Sequence, residues 1–290
     1  MSIVLSVLIV NYNGADFIAP CIDSVFSSKT SFPFEIIVVD NDSKDHSKKV
    51  LDTYQDKITI FYSDQNLGFS EGNNKCAQLA KGTTYFLLNN DTVIQPDTLE
   101  ILYQFLIKNP SVGAISPKLI GGDGKLQAPG SIFGQWKFRS EVPVPVSFIS
   151  GAAVMLPRNA YEAIGGLDGQ LFFYNEDIDM CMMLKKKGYD IYYVPTAQLI
   201  HYGGLSTSTR KVGSMIEGYR GGLYLVYKHY PRLLYHIYRI VLLLDLIPRL
   251  LIHSVRSVFN AQQRQYVKAC LDILIINWKG DIFAKKKTIY

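Results

Sequence analysis

The stretch Phe173-Tyr174-Asn175-Glu176-Asp177-Ile178-Asp179 sets three carboxylates beside an aromatic pair. Carboxylates crowded together next to apolar surface raise one another's pKa, which suits a general base. Acids at a helix start are also favoured by capping and by the helix dipole, so this pattern serves either structure or chemistry. A second group, Asn89-Asn90-Asp91-Thr92, closes a buried apolar run. A hard cation such as Mg2+ or Mn2+ prefers a few carboxylate oxygens and shares its other positions with phosphates and water. Asp91 can supply the acid and Asn89 a neutral oxygen. His201 comes after Val194-Pro195 and just before Tyr202-Gly203-Gly204-Leu205-Ser206, a return to the same crevice that makes it a third candidate ligand.

These residues need a scaffold, and the first 120 residues alternate two kinds of signal. Val4–Val10, Glu35–Val39, Ile58–Tyr62, Tyr85–Leu88 and Val112–Ser116 are short runs rich in β-branched and aromatic residues. Between them, Ala15–Phe26, Lys44–Tyr54, Glu71–Ala80 and Asp97–Ile107 space their apolar positions as helices do. Strands that are apolar almost throughout have both faces covered, which predicts an α/β fold with a mostly parallel, Rossmann-like central sheet flanked by helices. Ligands bind such sheets beyond the carboxyl ends of the strands. There the chain reads Asn11-Tyr12-Asn13-Gly14, Asp40-Asn41-Asp42-Ser43, Asp64-Gln65-Asn66-Leu67-Gly68 and Asn89-Asn90-Asp91. Asp and Asn are good turn and capping residues at any one such position. Four polar ends on one sheet edge point to a shared binding crevice.

From Gly121 to Val146 the sequence is rich in Gly and Pro and reads as an excursion within the fold. Regular structure resumes at Ser150–Leu156, followed by a helix from Glu176 or Asp177 to Lys187, stopped by Gly188, and a strand over Ile191–Val194. Met215–Trp278 reads as helices with basic punctuation.

Composition narrows the function classes. Of 290 residues, 48% are hydrophobic and 19% charged, which excludes global disorder. The net charge of +5 is unevenly spread: residues 205–290 hold 14 Lys and Arg against 4 Asp and Glu. Four dispersed cysteines without a CxxC pair argue against a disulfide framework or zinc knuckle and fit a reducing compartment. The apolar start at Ile3–Val10 lacks a basic leader and reads as a buried strand rather than a signal peptide. There is no GxGxxG after the first strand, no P-loop and no GxSxG elbow. The Leu- and Ile-rich stretch Arg232–Arg256 is interrupted by Arg239, Asp245 and Arg249, so it predicts a helix lying on a membrane or packed on the protein rather than a span. Its basic residues are spaced among apolar ones rather than clustered with aromatics, which argues against nucleic acid.

Six blocks in order resemble glycosyltransferase family 2, in particular its bacterial rhamnosyltransferase-like branch: Val7–Gly14, Val38–Ser43, Asn66–Asn74, Leu87–Thr92, Ser150–Ala153, and Gly165-Gly166-Leu167-Asp168 leading to Asn175–Asp179. The match covers roughly residues 3–230. The resemblance implies a GT-A fold, with a catalytic domain over residues 1–204 (a nucleotide-sugar-binding half at 1–120 and an acceptor-binding half at 121–204) and a basic helical C-terminal region at 205–290. It implies that Asp40 binds the base near the Asn11–Asn13 loop, and that Asn66, Asn73, Asn74 and Asn90 line the donor pocket. Asp91 becomes the metal-binding acid, with Asn89 standing where the family often has a first Asp, and His201 joins the metal or diphosphate. Asp177, beside Glu176, becomes the catalytic base.

The implied cofactor is a divalent metal, Mg2+ or Mn2+. The implied reaction is inverting transfer of a sugar, such as L-rhamnose from dTDP-rhamnose, to a glycan or lipid-linked acceptor in bacterial surface polysaccharide synthesis, such as O-antigen or capsule. The basic, Leu-rich C-terminal region adds the inner face of the cell membrane as a partner. A UDP-hexose or galactofuranose transferase, or a non-catalytic nucleotide-sugar or glycan binder, is the alternative reading.

Overall fold

The computed structural model describes residues 3–129, 135–203, 211–257 and 261–283. The chain divides into two compact units: Met1–Asp168 with Glu176–Ser206, and Gly169–Asn175 with Thr207–Tyr290. This division differs from a boundary after residue 204 at two places: it falls after Ser206, and the short segment Gly169–Asn175 is grouped with the C-terminal unit.

The first unit is built on β1 (Leu5–Asn11), α1 (Ala15–Phe26), β2 (Phe34–Asp40), α2 (Ser47–Leu51), β3 (Thr59–Tyr62), α3 (Gly68–Leu79) and β4 (Thr84–Asn89). Strands β3, β2, β1 and β4 are neighbours in that order and parallel, so their carboxyl ends share one edge. Alternate residues of each strand enter two separate cores, as the near-continuous apolar runs require. Val7 and Ile9 of β1, Ile36 and Val38 of β2, and Phe86 and Leu88 of β4 pack on one side. Leu8, Ile37, Val39, Tyr85 and Leu87 pack on the other. Each of these buried side chains stabilises the fold by about 2 kcal/mol relative to exposure.

Beyond β4 the sheet becomes mixed. β5 (Thr92–Ile94), α4 (Thr98–Lys108), β6 (Val112–Gly121), β7 (Val144–Pro145), β8 (Ala153–Pro157), α5 (Arg158–Ala163), α6 (Glu176–Lys186) and β9 (Asp190–His201) complete the unit. The order continues β4-β8-β6-β9-β5, with β8 antiparallel to both β4 and β6, and β5 and β7 antiparallel to β9.

Two strands run longer than their apolar runs suggest: β6 continues past Ser116 to Gly121, and β9 past Val194 to His201. Both interruptions are prolines at one irregularity, where the pairing jumps from Pro117↔Val194 to Lys118↔Gln198. Pro195 has no N–H to donate, so the ladder opens there and then resumes. The resumed part of β9 carries His201 to a position beside Thr92 of β5, as the last residue of a strand rather than a residue after it.

The second unit contains α7 (Lys211–His229), α8 (Arg232–Ser257) and α9 (Ala261–Lys279). Ile216, Leu246, Ala269, Cys270 and Ile273 form its small core. Buried Arg220 donates to the carbonyls of Gln170 and Ile282, and Asn175 donates to the carbonyl of Gly218. These bonds hold the segment Gly169–Asn175, in which Tyr174 and Asn175 both adopt left-handed backbone at φ 70° and 71°. Two consecutive non-glycine residues there are strained, and local hydrogen bonding of this kind sustains such strain.

Candidate active site

At the carboxyl ends of β1 and β2, Asn11 lies opposite Asp40 in register. Asn90 Nδ2 donates to Asn11 Oδ1 at 2.7 Å, and Asn11 Nδ2 donates to Asp40 Oδ1 at 2.8 Å. Ser43 completes the set, its hydroxyl donating to Asp40 Oδ1 at 2.7 Å and its backbone N–H to Oδ2 at 3.2 Å. A Cβ on Gly14 would lie 2.1 Å from Asn90 Nδ2, so glycine is needed there for the amide chain to close. Asn13, at φ 49°, accepts from Lys44 N through its side chain, tying the loop after β1 to the loop after β2.

Asp91 lies just past β4 and is almost fully buried. The chain turns directly into β5, whose Thr92 pairs with His201 of β9, and this brings His201 to Asn89, 112 positions away in the chain. His201 Nε2 is 3.4 Å from Asp91 Oδ1 and 3.5 Å from Asn89 Nδ2. Asp91 Oδ1 is a buried oxygen without a hydrogen-bond partner.

The orientation of His201 follows from Gln127, whose Nε2 donates to the His201 carbonyl at 3.0 Å. That fixes the amide so that Oε1 faces His201 Nδ1, 2.8 Å away, as the acceptor of its proton. In the neutral ring Nε2 is then a lone pair turned toward an orphaned carboxylate oxygen. Two facing lone pairs are the donor set of a hard cation, and an outer hydrogen bond on the second ring nitrogen commonly fixes such a ligand. Among the described residues no three His, Cys, Asp or Glu side chains cluster as a metal site; this candidate set has two such residues and Asn89.

The acidic pair begins α6. Asp177 Oδ2 accepts from Gly151 N at 3.1 Å and Oδ1 from Ile178 N at 2.8 Å. Glu176 is buried and its Oε2 has no partner. Burial, then the neighbouring Asp177, pushes the Glu176 carboxyl up to about 8. Burial raises Asp177 as well, against the lowering effect of the Gly151 and Ile178 N–H groups. Asp179 is also buried.

The pair is joined to the β4 edge by two adjacent backbone groups: Gly151 N binds Asp177, while Ala152 O accepts from Asn89 N at 2.9 Å. A Cβ on Gly151 would make only ordinary van der Waals contact, with the Asp177 Cβ at 3.4 Å and Glu176 Oε1 at 3.7 Å, so it is the backbone N–H rather than the absence of a side chain that serves the pair.

The remaining expected donor-binding residues lie in other settings. Asn66 accepts from Asn41 Nδ2 and from Gly68 N, closing the turn before α3. Asn73 donates to Phe69 O one helical turn back. Asn74 is engaged on both sides of its amide, donating to Leu167 O and accepting from Leu167 N and the Tyr161 hydroxyl. Ser43, Asn41 and Gln127 are participants that motif reading does not single out. Ser43 and Asn41 lie in the polar strand end Asp40–Ser43, where the signal was present, whereas Gln127 lies in the Gly- and Pro-rich excursion.

Comparison with known proteins agrees with this architecture. A family model described as glycosyl transferase family 2 matches residues 6–165, and one described as glycosyl transferase family group 2 matches residues 86–259. An uncharacterized protein of Sinorhizobium fredii is 24% identical over 70% of this chain, a span that makes up only 25% of that relative. An N-acetylglucosaminyl-diphospho-decaprenol L-rhamnosyltransferase of Mycobacterium tuberculosis is 26% identical over 71% of this chain and 78% of its own length. Among solved structures, a mannosyltransferase from Pyrobaculum calidifontis in complex with GDP-Man and Mn2+ superimposes with a TM-score of 0.63 at 16% identity, covering 94% of this chain and 86% of that one. The chain belongs to glycosyl transferase family 2 and carries its glycosyltransferase domain on a GT-A fold.

Proposed function

We propose that this chain is an inverting, metal-dependent glycosyltransferase that moves L-rhamnose from dTDP-rhamnose to a lipid-linked glycan at a membrane surface, in bacterial surface polysaccharide synthesis. The observation that carries the reading is the Gly151-Ala152 tie, which couples the acidic pair of buried Glu176 and half-buried Asp177 to the strand edge bearing Asp91, Asn89 and His201. The Mycobacterium tuberculosis relative supports the choice of sugar and of a lipid-linked acceptor.

Asp91 Oδ1, His201 Nε2 and the Asn89 side chain would hold Mg2+ or Mn2+, which supplies positive charge against a leaving diphosphate. Gln127 keeps the His201 lone pair turned toward that position. Asp40, Asn11 and Asn90 form a pre-ordered rim for the base of the nucleotide, with little side-chain freedom left to lose on binding.

An acceptor hydroxyl becomes a competent nucleophile when a carboxylate takes its proton. Asp177 is the base, held by Gly151 and Ile178 so that its oxygens keep a fixed direction. The acceptor oxygen forms the new bond to the anomeric carbon as the bond to the diphosphate breaks; the hydroxyl proton passes to Asp177, and configuration inverts. Glu176, raised and buried, carries the pair's other proton near neutral pH.

A thermal-shift screen of nucleotide-sugars with and without Mn2+ tests the donor, since a ligand specific to the folded state raises apparent stability. The expected result is a shift of several degrees with dTDP-rhamnose that depends on Mn2+. A larger shift with a UDP-hexose would overturn the rhamnosyl assignment, and an equal shift without metal would overturn the metal.

A further inference from the structure

The C-terminal unit bears a surface that sugar transfer does not use. Helix α8 turns Tyr235, Leu242 and Leu246 inward, as the packed side of a helix should. Its outward side is apolar as well. Leu233, Ile237, Ile240, Leu244, Leu251 and Val255 recur at helical spacing and are between 46% and 72% exposed. Leu234, Val241 and Ile252 widen this stripe.

With 3.6 residues per turn, the exposed apolar positions fill an arc of about 140° along a helix roughly 39 Å long. Arg232 and Arg256 fall at its borders beside the ion pair of Asp245 and Arg249, and Arg239 is turned away to bind the Asn277 side chain of α9. On α9, Leu271, Ile275 and Trp278 form a second exposed apolar line, Trp278 being 84% exposed. Exposed apolar area on this scale marks an interaction surface.

Three occupants are conceivable, and charge separates them. No helix among the described residues is long and apolar enough to cross a membrane, which removes a span. A second copy would bring together two regions that each carry 14 basic against 4 acidic residues, and like charges oppose that pairing. An anionic bilayer matches both features, an apolar arc that enters the acyl boundary and basic borders that meet the headgroups. We infer that α8 lies in the plane of an anionic membrane with the Leu233–Val255 arc immersed, while α9 offers Trp278 at headgroup level. The inference rests on the proposed membrane-surface acceptor for its purpose, but the binding is independent of donor, metal and base.

Flotation of the full chain with lipid vesicles tests it. The wild type binds vesicles of phosphatidylcholine mixed with phosphatidylglycerol, and binds phosphatidylcholine alone more weakly. The double variant Leu244→Glu with Leu251→Glu loses at least about tenfold in partitioning, as does Leu233→Ser with Val255→Ser. Because all four positions are exposed, the melting temperature stays near that of the wild type. Wild-type binding that neither pair reduces, or no binding to the anionic vesicles, overturns the inference. So does a wild-type dimer in light scattering that the Glu pair splits, since the face would then belong to a second copy. Transfer from dTDP-rhamnose to a short water-soluble acceptor is measured on the same samples. Failure of the donor reading therefore leaves the vesicle result standing, and the converse holds.

Discussion

Asp91 and Glu176 are both buried carboxylates, and each keeps one oxygen without a hydrogen-bond partner, yet their surroundings differ in kind. Asp91 Oδ1 faces the Nε2 lone pair of an imidazole whose proton Gln127 has drawn to the other side. The nearest side-chain donor is Asn89 Nδ2, a long 3.5 Å from Nε2, and no donor reaches Asp91 Oδ1; a cation would satisfy both lone pairs at once. Glu176 lies instead beside a second carboxylate in a desolvated position, where the inexpensive remedy is a proton. Orphaned oxygens are uncommon in folded proteins and each needs a cause. Under the proposed mechanism the two causes would correspond to the two halves of glycosyl transfer, charge on the leaving side and proton removal on the attacking side.

The contrast can be broken most directly at Asp177, the member of the acidic pair with ordered backbone donors. Asp177→Asn should lower kcat by about 10³, while the thermal shift given by donor and Mn2+ stays near that of the wild type. Retention of more than about a tenth of the activity would move the base to Glu176 or Asp179. Loss of donor binding together with activity would mean that the pair and the Asp91 group act as one unit, and the two-sided comparison would not hold.

The proton assigned to Glu176 has its own signature in stability. Its folded pKa is raised from 4.5 to about 8, so over that interval the folded chain holds a proton that the unfolded chain has released. Stability therefore falls as pH rises from the ordinary carboxylate range to about 8 and levels off above it. Glu176→Gln removes this dependence and should gain on the order of 3 kcal/mol over the wild type between about pH 5 and pH 8. Urea unfolding at both ends of the interval measures the gain. Asp177 is raised too and stays in both proteins, so some pH dependence remains in the variant. Equal pH dependence in the two proteins would place the shared proton elsewhere.

Much of this arrangement is legible in the residues alone, for stated physical reasons. Helix α1 spans Ala15–Phe26, as its spacing predicts, because Ile18, Cys21, Ile22 and Val25 give one uninterrupted buried stripe. The parallel β3-β2-β1-β4 half follows from strands apolar on both faces. What is not legible is whatever depends on pairing across long separations. The antiparallel insertion of β8 beside β4 has no local signal, yet it supplies the Gly151-Ala152 tie. Pro117 and Pro195 look like strand stops when each is read alone; only their pairing across β6 and β9 shows one shared irregularity. The family resemblance groups the asparagines after β3 and within α3 as donor-lining; their hydrogen bonds within the fold, such as those of Asn74 to Tyr161 and Leu167, have no local signal. Gln127 sits among glycines and prolines, and nothing local marks it as the partner of a histidine 74 positions away.

That glutamine offers the finest test of the comparison. Gln127→Leu removes the acceptor at His201 Nδ1, leaving the imidazole free to carry its proton on Nε2 instead. A proton there can be donated to Asp91, which satisfies both groups without a cation and weakens the ion site. The expected loss in Mn2+ affinity, read from the Mn2+ concentration needed to support UDP or dTDP binding, is about ten- to a hundredfold. Gln127→Glu keeps an acceptor at the same position and should retain more of the affinity than Gln127→Leu. Asp91→Ala, which deletes a ligand rather than its support, should cost at least as much as Gln127→Leu. An unchanged Mn2+ requirement in Gln127→Leu would mean that the imidazole faces Asp91 as an ordinary hydrogen-bond donor. Both buried carboxylates would then be satisfied by protons, and the attacking and leaving sides of the reaction would have to be told apart by something other than their orphaned oxygens.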